Sequence, residues 1–95
     1  MPRESEIVGA ILRWLKTIPG CEARKLHGSI YSHKGDPDIY GCINGRMFHL
    51  ECKQPGEDPT VLQAAMLERW KKAGATVGVA RSLQDAKDIL TALLD

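Results

Sequence analysis

Apolar residues recur at helical spacing from Arg3 to Ile18: Ile7, Ile11, Leu15 and Ile18, with Val8, Leu12 and Trp14 widening the stripe. This pattern predicts an amphipathic helix, which Pro19-Gly20 ends. Ala23 to Ser32 is a weaker, extended segment that runs into polar residues around His33 to Asp36. Two strand-like runs follow, Asp38 to Ile43 and Arg46 to Lys53, separated by Asn44-Gly45. Asn-Gly between such runs marks a two-residue type I′ hairpin. Pro55, Gly56 and Pro59 make a loop, Thr60 caps a helix running to about Ala73, and Gly74 lies just past its end. Thr76 to Ala80 reads as a short buried strand and Ser82 to Leu94 as a final amphipathic helix. The order predicts an α/β fold: an αβββαβ core with a C-terminal helix.

The hairpin fixes which side chains meet. With Asn44-Gly45 as the turn, Ile43 pairs with Arg46, and counting back sets Asp38 opposite Glu51. Side chains alternate between faces. One face carries Ile39, Ile43, Phe48, Leu50 and Cys52 and belongs to the core. The other carries Asp38, Tyr40, Cys42, Met47, His49, Glu51 and Lys53. Directly opposed residues have Cβ atoms about 4.5–5.5 Å apart, where like charges repel. Two carboxylates so close are tolerated if one is protonated or if a hard divalent cation lies between them, and oxygen ligands suit Mg²⁺ or Mn²⁺. Lys53 points the same way, as a cation able to stabilise charge on a phosphate under attack. Cys52 turns its thiol into the core, leaving its backbone carbonyl as a further ligand. The bland alternative makes Asp38 a turn residue and Glu51 and Lys53 a solvated edge.

Composition narrows the class. Ninety-five residues with 43% hydrophobic and 26% charged content describe one globular domain. No apolar run approaches the roughly 20 residues of a membrane span, and the N-terminus lacks the layout of a secretory signal. Cys21, Cys42 and Cys52 form no CxxC pair, which argues against a zinc knuckle or disulfide scaffold. A reducing cytoplasm is the expected compartment. Thirteen basic against twelve acidic residues exclude a histone-like polycation but not a nucleic-acid enzyme with clustered charge.

Gly35-Asp36-Pro37-Asp38, followed by Glu51-Cys52-Lys53 across the Asn-Gly hairpin, resembles the Pro-Asp…(Asp/Glu)-x-Lys signature of restriction-endonuclease-like nucleases. Within that superfamily the chain most resembles the stand-alone virus-type replication-repair nuclease domain, VRR-NUC. Lys25-Leu26-His27-Gly28-Ser29, Gly45-Arg46, Gln54-Pro55, Thr60-Val61-Leu62-Gln63, Ala73-Gly74 and Val79-Ala80-Arg81-Ser82 extend the likeness over nearly the whole chain. The resemblance implies a metal-dependent DNA phosphodiesterase related to archaeal Holliday-junction resolvases. It implies Asp38, Glu51 and the Cys52 carbonyl as metal ligands and Lys53 as the catalytic lysine. It also selects Glu4 rather than Glu6 on the first helix, and the helical wheel agrees: Glu4 falls with Ile11, Leu15 and Ile18, Glu6 with Arg13 and Lys16. Glu4 is equally an acid favoured by the helix dipole. Gln63 is placed near the active site, although Thr60-x-x-Gln63 is also a capping box; the two roles are compatible.

Ala23 to Lys34 contains Arg24, Lys25, Lys34 and two histidines but no acid, a locally positive stretch able to hold phosphates. Lys25 and His27, then Ser29 and Lys34, are the candidate DNA contacts; a solvated strand edge is the alternative. His49 reads as a packed histidine, and Trp14 and Trp70 as core residues. The expected activity is structure-selective cleavage of four-way junctions or other branched DNA. The rivals are a nuclease for flap or linear DNA and a non-catalytic DNA-binding module. A two-fold symmetric substrate calls for a homodimer, and the resemblance implies a bacterial cytoplasm, with the gene bacterial or phage-encoded.

Overall fold

The computed structural model describes residues 3–26 and 34–94. The elements are α1 (Glu4–Leu15), β1 (Cys21–Lys25), β2 (Ile39–Ile43), β3 (Arg46–Cys52), α2 (Val61–Lys72), β4 (Thr76–Ala80) and α3 (Leu83–Leu90), followed by a 3₁₀ turn at Thr91–Leu93. The four strands form one sheet in the order β1-β2-β3-β4. β1–β2 and β2–β3 are antiparallel, and β3–β4 is parallel. The α/β architecture and element order match the pattern of apolar positions.

The Asn-Gly turn sets the register. Asn44 and Gly45 both have positive φ, 50° and 83°, as a type I′ turn requires. Ile43 pairs with Arg46 and Ile39 with Leu50. The ladder stops there, so Asp38 lies just before β2 rather than inside it. Ile39, Ile43, Phe48, Leu50 and Cys52 join Ile7, Val8, Ile11 and Leu15 of α1 and Ala86 and Leu90 of α3 in one core cluster. The α1 stripe therefore buries as its spacing demands. On the opposite sheet face α2 covers β3: Trp70 stacks on His49 with ring centroids 4.0 Å apart, and His49 and Glu51 are 5% and 1% exposed. His49 is thus packed, as expected. Trp14 packs against the core cluster, but Trp70 does not: it is half-buried outside that cluster, on the opposite sheet face, and lines a groove, so its reading as core is corrected.

Besides the start of β2, and the end of β3 at Cys52 rather than Lys53, three boundaries differ from the sequence expectation. β1 starts at Cys21, earlier than Ala23, because it pairs with the full length of β2 from Cys21↔Ile43 to Lys25↔Ile39. Its expected continuation through residues 27–32 lies outside the described residues. α1 stops at Leu15, where the Thr17 hydroxyl donates to the Trp14 carbonyl at 2.6 Å. α3 ends at Leu90 and tightens into a 3₁₀ turn, with the Thr91 hydroxyl bonded to the Lys87 carbonyl at 2.7 Å. Hydroxyl side chains that compete for backbone carbonyls disfavour helix continuation.

Candidate active site

Glu4, Asp38 and Glu51 come from three separate elements, yet each offers a carboxylate oxygen within 4.8 Å of the others. Glu4 lies in the first turn of α1, whereas Glu6 in the same turn pairs with Arg3 at 3.8 Å. Asp38 is held by the main chain on two sides. Its Oδ2 accepts the Cys52 amide at 2.7 Å, and its backbone carbonyl accepts the Leu26 amide at 2.7 Å. One residue thereby ties the end of β1 to the end of β3. Glu51 is buried, and its Oε1 has no hydrogen-bond partner among the described residues.

The electrostatics follow from that crowding. Burial, a hydrogen bond to Asp38 and the charges of Asp38 and Glu4 push the Glu51 carboxyl up to about 9, against the opposing pull of Lys53. The proton on Glu51 is how the cluster tolerates its own acids. Burial and the neighbouring acids push the Cys52 thiol up to about 12, with Lys25 acting in the other direction. The thiol therefore stays un-ionised, which leaves main-chain oxygen as the donor this residue can offer a hard cation. The three carboxylates, one of them buried, form an all-oxygen set that fits a hard divalent cation.

Lys53 follows Glu51 by two residues, and its amide is bonded to the Ala80 carbonyl at 3.1 Å. The loop after it is fixed by Arg81, whose Nε donates to the Glu57 carbonyl and Nη2 to Asp58 Oδ1, each at 3.0 Å. Gln63 forms the capping box: its Oε1 accepts the Thr60 amide at 2.9 Å and its own amide donates to Thr60 Oγ1 at 3.1 Å. Lys25 is exposed at the end of β1 and acts electrostatically on Cys52, beside the cluster. Lys34 is exposed, while His27 and Ser29 lie outside the described residues. Spacing gave no sign of the Leu26 amide or the Arg81 clamp, because main-chain bonds and loop contacts leave no periodic trace.

The sequence matches no family model and no curated protein. Among solved structures, a VRR_NUC domain is 24% identical over 93% of this chain and 94% of its own, with a TM-score of 0.78. The fold is that of a VRR_NUC domain. A second VRR_NUC domain protein superposes with a TM-score of 0.77 at 16% identity, covering 99% of this chain and 89% of that one. Hjc of Archaeoglobus fulgidus, a Holliday junction resolvase from an archaeal hyperthermophile, gives a TM-score of 0.53 at 21% identity, over 81% of this chain and 62% of its own. Both VRR_NUC superpositions span more than nine-tenths of this chain.

Proposed function

We propose that residues 1–95 form a single VRR-NUC-type nuclease domain, a Mg²⁺- or Mn²⁺-dependent endonuclease that hydrolyses DNA phosphodiester bonds at four-way junctions or other branches. The observation that carries this reading is the meeting of Glu4, Asp38 and buried Glu51 within 4.8 Å. Likeness to VRR_NUC structures and to a junction resolvase supports it.

Asp38, Glu51 and the Cys52 carbonyl are the ligands in this reading. A bound divalent cation supplies Lewis-acid polarisation of the phosphate and acidifies a water. Glu51, its proton released to solvent, would hold the cation as a carboxylate. Glu4, exposed at the edge of the cluster, accepts the proton of the attacking water. Lys53 donates to the non-bridging phosphate oxygen on which charge grows. Gln63 orients the reacting groups from the start of α2, while Lys25, His27, Ser29 and Lys34 hold flanking phosphates. Two-strand cleavage of a symmetric junction requires two such sites, hence a homodimer. The setting is the cytoplasm of a bacterial cell, with the gene bacterial or phage-borne.

The test is cleavage of matched four-way-junction, flap, single-stranded and linear duplex DNA in Mg²⁺, Mn²⁺ or EDTA, alongside Asp38→Asn. Paired cuts confined to branched DNA, lost in EDTA and in the variant, are expected. Equal cleavage of every substrate would remove the branch selectivity. Binding without cleavage in any metal would overturn the enzyme reading.

A further inference from the structure

The Gly35–Pro37 loop leads directly into Asp38 and lies against α2. A Cβ at Gly35 would sit 2.7 Å from Leu62 Cγ, and Gly35 has a φ of +85°. Further along α2 the two part to leave a groove of about 270 Å³, lined by Asp36, Met66, Arg69, Trp70 and Ala73. Met66, Trp70 and Ala73 supply apolar and aromatic surface, Asp36 one carboxylate and Arg69 one guanidinium. His49 stacks on the indole, so one face of the indole is covered by a second ring, whose two nitrogens have no hydrogen-bond partner among the described residues. Three residues on from Arg69, in the last turn of α2, Lys72 adds a second cation on the same side.

An indole backed by a second ring, a lone carboxylate and a cationic rim match one unpaired nucleobase and its phosphate. Base–aromatic stacking tolerates any base, and a carboxylate accepts but cannot donate. Guanine presents two adjacent donors, N1–H and the N2 amine; adenine and cytosine present an amine, and thymine only N3–H. Asp36 precedes Asp38 by two residues, at most about 7 Å of extended chain. A nucleotide in the groove therefore neighbours the phosphate that faces the acidic cluster.

We propose that the groove between the Gly35–Pro37 loop and α2 binds one unpaired base beside the scissile phosphate, stacked on Trp70 and read by Asp36, with guanine preferred over thymine. The proposal rests on the nuclease reading of the Glu4–Asp38–Glu51 cluster, and its test does not require cleavage. The intrinsic fluorescence of Trp14→Phe protein, with Trp70 as the remaining tryptophan, is titrated in EDTA with single-stranded oligothymidylate, either unsubstituted or carrying one guanine. The guanine strand is expected to quench Trp70 and to bind about tenfold tighter, the scale of one bidentate base contact. Asp36→Asn, checked for folding by circular dichroism, is expected to erase that ratio. Arg69→Ala, an exposed position, should weaken both strands alike. Equal binding of the two strands, or a guanine preference that survives Asp36→Asn, would overturn the groove assignment and leave the nuclease reading intact. Guanine-selective quenching in a protein that cleaves no DNA would retain the groove and remove the nuclease.

Discussion

The Cys52 amide donates to Asp38 Oδ2 at 2.7 Å, so the loop before β2 is pinned to the last residue of β3. That bond sets the position of a carboxylate whose neighbours, Glu4 and Glu51, arrive from α1 and β3. It makes Asp38 both a structural tie and a member of the acidic cluster, and substitutions can separate the two roles.

Asp38→Asn keeps an oxygen for the Cys52 amide but removes the charge. Its thermal stability is expected to stay within about 1 kcal/mol of the native chain, since the hydrogen bond survives. Metal-stimulated cleavage should fall by about 100-fold or more, as for loss of one preorganised electrostatic group. Asp38→Ala should also lose roughly 1–3 kcal/mol, because a buried amide is left without a partner. Calorimetry on both variants, with a gel cleavage assay, separates tie from charge.

Glu51 titrates at about 9 in the folded chain, above its ordinary value of 4.5. The native state thus holds a proton that the unfolded chain has released, and stability from this group is present below pH 4.5 and is lost as pH rises toward 9. The slope is at most about 1.4 kcal/mol per pH unit. A ligand cation must displace the same proton, so the Mg²⁺-induced rise in Tm should grow from pH 6 to 9. A Mg²⁺ shift that is flat over this range, or larger at pH 6, would contradict the protonated Glu51.

Lys53 lowers the Glu51 value, so Lys53→Met should move the Mg²⁺-dependent Tm profile to higher pH. Cleavage should fall at every pH, because in the proposed reaction the same ammonium stabilises charge on the phosphate. Lys53→Arg should keep the profile near its native position. An unmoved profile in Lys53→Met would show that the lysine does not sense the carboxyl.

Thr60 and Gln63 cap α2 reciprocally. Thr60→Ala should cost about 0.5–2 kcal/mol of stability, with cleavage retained once the protein is folded. Gln63→Glu keeps the capping box, since glutamate serves equally at that position. Stability should therefore hold while cleavage falls, through repulsion of the phosphate by a fourth acid. Native cleavage in Gln63→Glu would reduce this residue to a helix cap.

Glu4→Gln and Glu6→Gln test the third carboxylate. Glu6 is exposed and paired with Arg3, so its amide variant should cleave normally. Glu4→Gln should lose activity without loss of stability and should raise Mg²⁺ affinity little or not at all. Reversed phenotypes would move the site to the other face of the first helical turn.

Much of this was legible along the chain, for reasons that are local. A two-residue turn admits one register, so Asn44-Gly45 alone brought Asp38 to the level of Glu51 and sorted β2 and β3 into two faces. Helical spacing put Ile7, Ile11 and Leu15 in the core, and with them Glu4 on the side that reaches the sheet. What the chain did not reveal depends on how α2 lies across β3. That packing brings Trp70 onto His49 and opens the groove beside Asp36. Periodicity reports which face of an element is apolar, but not which neighbour covers it. Register is decided between adjacent residues, whereas desolvation is decided by elements distant in sequence. The positions of the three acids along their own elements were thus written in the sequence, and the buried surroundings that raise the Glu51 carboxyl arose only in the folded chain.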